Sequence, residues 1–321
     1  MASPNATFTD LVTTTLRHTP ERMADNISNH NALVSRLKQK GNIKTISGGN
    51  TIVEPLDFGG NTNYQRYSDY DALSINAHQP LTSAEYNWAQ AAIHVTASGA
   101  EIRKNMGSKE QMFNLVKARV KSAYRDAANS FSTDVYSSGA LTNQVGGLAH
   151  LIQTDGSGTV GGIDSSTYTW WKNQFKEMTG TGTYASILQD MNNLWMSCVR
   201  GKDEPDLLVS THDLFAAYEN TLQQWQRYSD SRTAEGGFRA LKYKGADVIY
   251  DSDATNFTTT GEKMYFLNSD YIYLVEHKEA KWSRQEDKVP VNQDAVVIPI
   301  IWMGQMVCAN RARQGVMIDA S

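Results

Sequence analysis

Residues 108–139 read SKEQMFNLVKARVKSAYRDAANSFSTDVYSSG, and the fold is decided in this stretch. Ser108 and Gln111 form a capping-box pattern, in which each side chain satisfies a backbone donor of the first helical turn. Met112, Val116, Val120, Ala123, Ala127 and Phe131 follow at every third or fourth position, and Gly139 supplies a natural stop. The spacing predicts one helix from Lys109 to Ser138, about 45 Å long and well beyond the usual length. The opposite face carries Lys117, Lys121 and Arg125 at i, i+4 and i+8. A helix with one apolar stripe needs another element to hold it. Its basic stripe is either a solvated face or a surface turned toward a polyanion.

The segments on either side differ in kind. Residues 1–18 have no clean periodicity. Thr19 and Pro20 then read as the start of a helix carrying Met23, Ile27, Leu33, Val34 and Leu37, with Gly41 as its stop. From 42 to 100 the pattern turns extended. Gly48-Gly49 and Gly59-Gly60 bracket a strand-like run, Thr51 to Phe58, interrupted by Pro55. Tyr64, Tyr67 and Tyr70 follow, with Asp69 and Asp71 between them. Tyr86 and Trp88, then after a change of phase Ala91, Ile93, Val95 and Ala97, alternate as a strand does. Two strands with few bulky aliphatics between them read as a long hairpin arm. Such an arm builds no core of its own, and its tyrosines and edges call for a cover, for which another subunit is a candidate.

Beyond the long helix, 139–183 is rich in Gly, Thr and Ser, with an aromatic island at Tyr168, Trp170 and Trp171. A compact pattern begins at Tyr184. Ile187, Leu188, Met191, Leu194, Trp195 and Cys198 mark a helix, and Asp206 to Val209 a buried strand. Ser210 or Thr211 caps a helix with Leu214, Phe215, Tyr218, Leu222 and Trp225. Phe238 to Tyr250 reads as a hairpin around Lys244-Gly245. Met264–Leu267, Tyr271–Val275, Ala295–Met303 and Met306–Ala309 read as strands, the last two separated by Gly304. The class is α+β, with mostly antiparallel sheets.

Composition narrows the function. The 321 residues are 40% apolar and 20% charged, which is a folded composition with ample material for a core. No stretch approaches the ~20 apolar residues of a membrane helix, and the polar first ten residues do not read as a signal peptide. Cys198 and Cys308 sit inside apolar runs and read as buried thiols in a reducing compartment. The net charge of -4 conceals +3 over residues 1–50, -4 over 51–100, +4 over 101–130 and -7 over the remainder. Those blocks are either solvated faces or faces meant for different partners.

Catalytic patterns are weak throughout. Gly156 to Gly161 (GSGTVG) matches a dinucleotide fingerprint in letters, but no helical stripe follows it, and a loop is expected. Asp251, Asp253, Thr255 and Glu262 fall at calcium-loop positions, but Asn256 replaces the required glycine and the flanks read as strands, so a polar hairpin loop is expected. Ser210, His212 and Asp213 are neighbours in sequence, which capping explains. His94, His150 and His277 show no paired-ligand spacing. No catalytic residue, cofactor site or metal site is assigned. A soluble α+β hydrolase built on the 182–262 lobe remains an alternative, since carboxylates could converge there.

Several segments taken together carry a resemblance. They are GGNTIVEPLDFGGN (48–61), YNWAQAAIHVTASG (86–99), NLVKARVKSAYRDAANSFSTDVYSSG (114–139), PDLLVSTHDLFAAYENTLQQWQRY (205–228), MYFLNSDYIYL (264–274) and PVNQDAVVIPIIWMGQMVCANRARQGVM (290–317). In this order and spacing the chain resembles the major capsid protein of tailed double-stranded DNA bacteriophages, from about Ile43 to Met317. The resemblance implies the Hong Kong 97-like fold. It implies an N-terminal arm at 1–45, an extended loop at 46–100, and a peripheral domain at 101–181 with its spine helix at 108–138. An axial domain at 182–262 and a return to the peripheral sheet at 263–321 complete the chain.

The implied function is self-assembly into hexamers and pentamers of an icosahedral shell around double-stranded DNA, in a virion assembled in the host bacterial cytoplasm. Implied partners are other copies of the chain, scaffolding, portal and decoration proteins, and the packaged DNA through non-specific contact; no membrane is implied. A head-decoration or tail protein is the nearer alternative. No long, charged, helical pro-segment precedes residue 1, which implies a scaffold that is a separate protein or already removed, and no cross-linking lysine–asparagine pair stands out. Asp57, Tyr64, Tyr67, Asp69, Tyr70 and Asp71 are expected at a subunit interface, and Lys117, Lys121 and Arg125 toward the genome.

Overall fold

The computed structural model describes residues 31–60, 63–73, 77, 79–100, 109–179, 184–223, 241–257, 261–286 and 288–319. In chain order its helices and strands are α1 (Ala32–Gln39), β1 (Ile43–Ile46), β2 (Ile52–Asp57), β3 (Leu81–Tyr86), β4 (Ala89–Ser98), α2 (Lys109–Val135), α3 (Leu148–Leu151), β5 (Thr159–Val160), β6 (Ile163–Asp164), β7 (Gln174–Glu177), α4 (Ile187–Cys198), β8 (Leu207–Ser210), α5 (His212–Gln223), β9 (Leu241–Tyr243), β10 (Ala246–Tyr250), β11 (Lys263–Leu267), β12 (Ile272–His277), β13 (Ser283–Arg284), β14 (Ala295–Cys308) and β15 (Gly315–Ile318). They form a five-stranded sheet, in which β14 pairs with β4, β12 and β13 while β1 lies outside β12, and a six-stranded sheet ordered β7-β15-β11-β8-β10-β9.

The long helix packs on the five-stranded sheet. Along β14, Ile298, Ile300 and Trp302 are buried. Their partners on β4 are Val95, Ile93 and Ala91, so both strands turn alternate residues to the same face. The ring of Phe131 on α2 lies 4.9 Å from Trp302 and 5.8 Å from Trp282, edge-on to both. Val120, Tyr124, Ala127, Ala128 and Val135 extend this buried stripe along the helix. Gly139, at φ +66°, takes the left-handed conformation just past the helix end.

Four expectations are corrected by the strand pairing. The return strand of the arm, β4, does not pair with the 51–58 run; β2 pairs with β3 instead, and β4 pairs with β14. Gly304 does not divide two strands but lies inside one 14-residue strand. A side chain there would meet the Val275 carbonyl oxygen at 2.5 Å, so glycine lets β12 approach. The strands of 264–317 do not all join the sheet that carries the long helix, because β11 and β15 pair in the six-stranded sheet beside β8. The polar loop after Tyr250 is no hairpin: β10 runs parallel to β8 and β11 antiparallel on its other side, so the loop crosses over. The three corrections of pairing have one cause: alternation specifies which face of a strand is buried and leaves its partner open.

The first helix is also reassigned. Thr19, Pro20, Met23 and Ile27 lie outside the described residues, as does Ser108 of the capping box. Asn31, in an extended conformation, is the N-cap of α1, and its side-chain oxygen accepts from the Leu33 and Val34 N–H groups. Leu33, Val34 and Leu37 are buried as expected. Leu188, expected on the buried face of α4, is 40% exposed, whereas the other named residues of that stripe are buried. Lys244 and Gly245 both have positive φ, which is the primed turn expected between β9 and β10.

An ion network fastens α1 to the six-stranded sheet. Lys40 Nζ lies 2.9 Å from Asp206 and 2.8 Å from Asp270, and Arg36 lies 3.3 Å from Asp206 and 3.6 Å from Asp247. The Ser269 N–H and hydroxyl both donate to Asp206 at 2.7 Å. Burial opposes ionisation of Asp206, but the Ser269 donors and the Lys40 ammonium outweigh it, and the carboxyl sits below its ordinary range.

Two predictions follow from these contacts. Gly304→Ala forces overlap with β12 and lowers stability by about 1–3 kcal/mol, read as an earlier denaturant midpoint. A carboxyl whose folded pKa is depressed contributes stability above its unfolded pKa of about 3.9, and the contribution is lost as pH falls through the folded value. Asp206→Asn therefore costs about 1–3 kcal/mol at neutral pH and makes stability less steep below about pH 4, as followed by denaturation at stepped pH.

Candidate assembly surfaces

Sequence dictates a two-part arm. On the β2–β3 ribbon, Ile52, Leu56, Ala84 and Tyr86 are buried, whereas Val53 and Leu81 on the other face are exposed. Pro55 is tolerated because the ribbon has only two strands and leaves an edge free. The ribbon's root is tied to the body by several polar contacts. Tyr86 Oη donates to the Cys308 carbonyl at 2.9 Å, and the Glu85 N–H donates to the Gly161 carbonyl at 2.9 Å. Lys44 Nζ pairs with Glu54 at 3.3 Å and lies 3.5 Å over the Tyr273 ring. Phe58 stacks on Trp170 with centroids 5.1 Å apart.

Beyond Phe58 the chain leaves the body. Tyr64, Tyr67 and Tyr70 are 82%, 69% and 101% exposed, and Asp57, Asp69 and Asp71 are exposed with them. The tip has local order, since Asp71 accepts from the Ser68 N–H at 2.8 Å and the Asp71 N–H donates back to the Ser68 carbonyl. The structure thus gathers all six expected interface residues on the arm, five of them at its tip. Burying rings of this size elsewhere is favourable, and their hydroxyls tolerate a wet rim.

The expected genome-facing residues lie on α2. Lys121 and Arg125 are exposed. Arg125 turns partly along its own helix, 3.7 Å from Asp126 and 3.3 Å from the Ser122 hydroxyl. Lys117 lies outside the residues whose side chains are described.

The other candidate residues serve the fold. The GSGTVG segment supplies β5 and the first turn residue of the β5–β6 hairpin, with Gly161 and the following Gly162 at positive φ and no α-helix directly after it. A side chain at Gly161 would meet Ala84 at 2.7 Å, so this glycine seats the arm's root. Asp251 accepts from the Tyr136 hydroxyl at 2.8 Å, and burial holds its carboxyl above the usual range. Neither side chain expected to cap α5 does so: Ser210 is fully buried and donates to the Thr211 carbonyl, and the Thr211 hydroxyl has no hydrogen-bond partner, while His212 lies 3.0 Å from Asp213 at the surface. Burial pushes both thiols, Cys198 and Cys308, up to about 12. Among the described residues no three His, Cys, Asp or Glu side chains converge as a metal site, and no helix is long and apolar enough to cross a membrane.

Sequence reasoning missed the Arg36–Lys40–Asp206 network and a basic groove lined by Lys172, Arg200 and Arg313. Of the groove, only the aromatic island at Trp170 stood out in the sequence.

No family model and no curated protein matches this sequence. Solved structures do match across nearly the whole chain. The capsid of cyanophage A-1(L) is similar over 89% of this chain and 92% of its own, with 15% identity and a TM-score of 0.58. The capsid of a native GTA particle covers 100% and 96%, with 12% identity and a TM-score of 0.60. The holo-SrpI encapsulin of Synechococcus elongatus covers 90% and 89%, with 9% identity and a TM-score of 0.55. The chain has the α+β fold of phage capsid proteins, the Hong Kong 97-like architecture that the resemblance implied.

Proposed function

We propose that this chain is the major structural subunit of an icosahedral phage head. Copies associate as hexamers and pentamers through heterologous contacts that close into rings, and the rings tile a shell around double-stranded DNA. The observation that carries this reading is the arm tip. Three tyrosines stand in water on a ribbon whose root is locked to the body, in a chain that matches capsid subunits from end to end. The sheet carrying α2 then corresponds to the peripheral domain and the six-stranded sheet to the axial domain. Scaffolding, portal and decoration proteins are the further partners of such a subunit, in the virion and in the bacterial cytoplasm where it assembles.

Two carboxylates of the 182–262 lobe, Asp190 and Asp206, are held as anions by fixed donors and lend no support to a hydrolytic reading. Asp190 accepts from the Thr179 N–H, the Thr179 hydroxyl and the Ser186 hydroxyl at 2.9–3.1 Å, and Asp206 is held by Ser269, Lys40 and Arg36. Burial works against ionised Asp190, and those donors outweigh it, which suits a structural anion better than a proton donor.

Negative-stain microscopy of the expressed chain tests the proposal. Closed shells or capsomer rings are expected; a preparation containing only small globules contradicts it. Deleting 62–80 removes the tip and keeps the buried root, so the chain is expected to fold and to form no shells. Normal shells from that deletion would remove the tip from the account. For the content, Lys117→Gln, Lys121→Gln and Arg125→Gln together are expected to leave empty shells intact. Their DNA retention should fall more steeply with salt in the parent than in the triple variant, since each lost phosphate contact reduces the salt slope by about one. Equal retention at every salt concentration would turn α2 away from the genome.

A further inference from the structure

A groove of about 460 Å³ lies beside β7, the terminal strand of the six-stranded sheet. Trp170 and Phe175 give it aromatic walls, and Lys172, Arg200 and Arg313 line it with three cations. Phe175 is 45% exposed, and Lys172 Nζ sits 5.5 Å over its ring. None of the three cations makes an ion pair with another described residue. Two carboxylates close by in sequence have other hydrogen-bond partners: Asp155, which also feels the charge of Lys172, accepts from the Ser157 N–H, and Asp203 accepts from the Tyr271 hydroxyl. Phe58 stacks on Trp170, so the arm's root stands at the rim of the groove.

The tip has the complementary chemistry. Over residues 63–73 it presents Tyr64, Tyr67 and Tyr70 with Asp69 and Asp71, and Arg66 leaves the segment a net charge of -1. Neither aspartate makes an ion pair with another described residue. No tyrosine of the tip stacks on another described ring, so its aromatic faces are unused within one chain.

We propose that this groove receives the 63–73 tip of a second copy of the chain. Tyrosine rings pack against Trp170 and Phe175, and the two aspartates face Lys172, Arg200 and Arg313. The aromatic contacts supply most of the affinity, since Tyr, Trp and Arg anchors dominate interfaces, and the charges set register and suppress wrong partners. The proposal rests on the shell-subunit reading and adds the address at which one copy holds the next.

Cysteine cross-linking tests it. One chain carries Tyr70→Cys and another Phe175→Cys, and the two are assembled together and treated with a short thiol-specific linker. The native thiols are buried and stay silent. Cross-linked pairs are expected from the mixture, far above either chain alone. Shells that form without them overturn the groove and leave the shell reading standing; a parent chain that forms no particles overturns both. A chain bearing both cysteines that yields only internally linked monomer shows that the groove takes its own tip, and also overturns the proposal.

Charge exchange gives a second arm. Lys172→Glu alone and Asp69→Lys alone are each expected to lower shell yield about tenfold, and the two combined to restore it. If Lys172→Glu instead abolishes binding of a labelled single-stranded oligonucleotide and leaves shell yield unchanged, the groove serves nucleic acid and the proposal fails.

Discussion

The edge-on packing of Phe131 against Trp282 and Trp302, which stack on each other, fixes the long helix on the main sheet, and the rest of the structure depends on it. A helix of 27 residues with a single apolar stripe does not persist in water by propensity alone, and here the stripe is buried on β14. That same strand bears β4 over ten residue pairs, then β12 over five, and meets both at Gly304. The return strand of the arm is therefore part of the main sheet. What projects from the body is a root held by polar and aromatic contacts, carrying a short exposed tip.

The seat of that root is built around Arg311. It is fully buried with no ion-pair partner among the described residues and donates through Nε and Nη2 to the carbonyls of Leu151 and Ser157 and to Asn173 Oδ1, while its Nη1 has no hydrogen-bond partner. These bonds hold the segments on either side of the β5–β6 hairpin, where Gly161 lets Ala84 approach and Trp171 donates to the Val160 carbonyl. A second polar junction joins Asn31, Ser132, Tyr136 and Asp251, and so links the start of α1, the end of α2 and the crossover out of the six-stranded sheet. Buried polar groups of this kind specify one arrangement because leaving any of them unpaired is costly.

Much of this was legible in the sequence. The apolar spacing from Val120 to Phe131 described α2, Lys244-Gly245 described a primed turn, and the alternation from Ala91 to Ala97 described β4. Tyr64, Tyr67 and Tyr70 stood out because three aromatic residues lay in a polar stretch. What remained hidden was partnership. Periodicity assigns a residue to a face, and nothing in it says that β4 pairs with β14 rather than with β2, or that β15 joins β11. Asn31 was readable as a cap only once the helix start was known. Arg36, Lys40 and Asp206 come together across 170 residues of chain, where no spacing rule operates.

Hydrogen exchange of free and assembled chain tests the central claim most directly, that a body-anchored arm presents a tip meant for another copy. Amides of β4 and β14 are expected to be protected in both states, and those of residues 63–73 only after assembly. Assembled particles whose 63–73 amides exchange as fast as those of the free chain, or a free chain in which they are already protected, would contradict it.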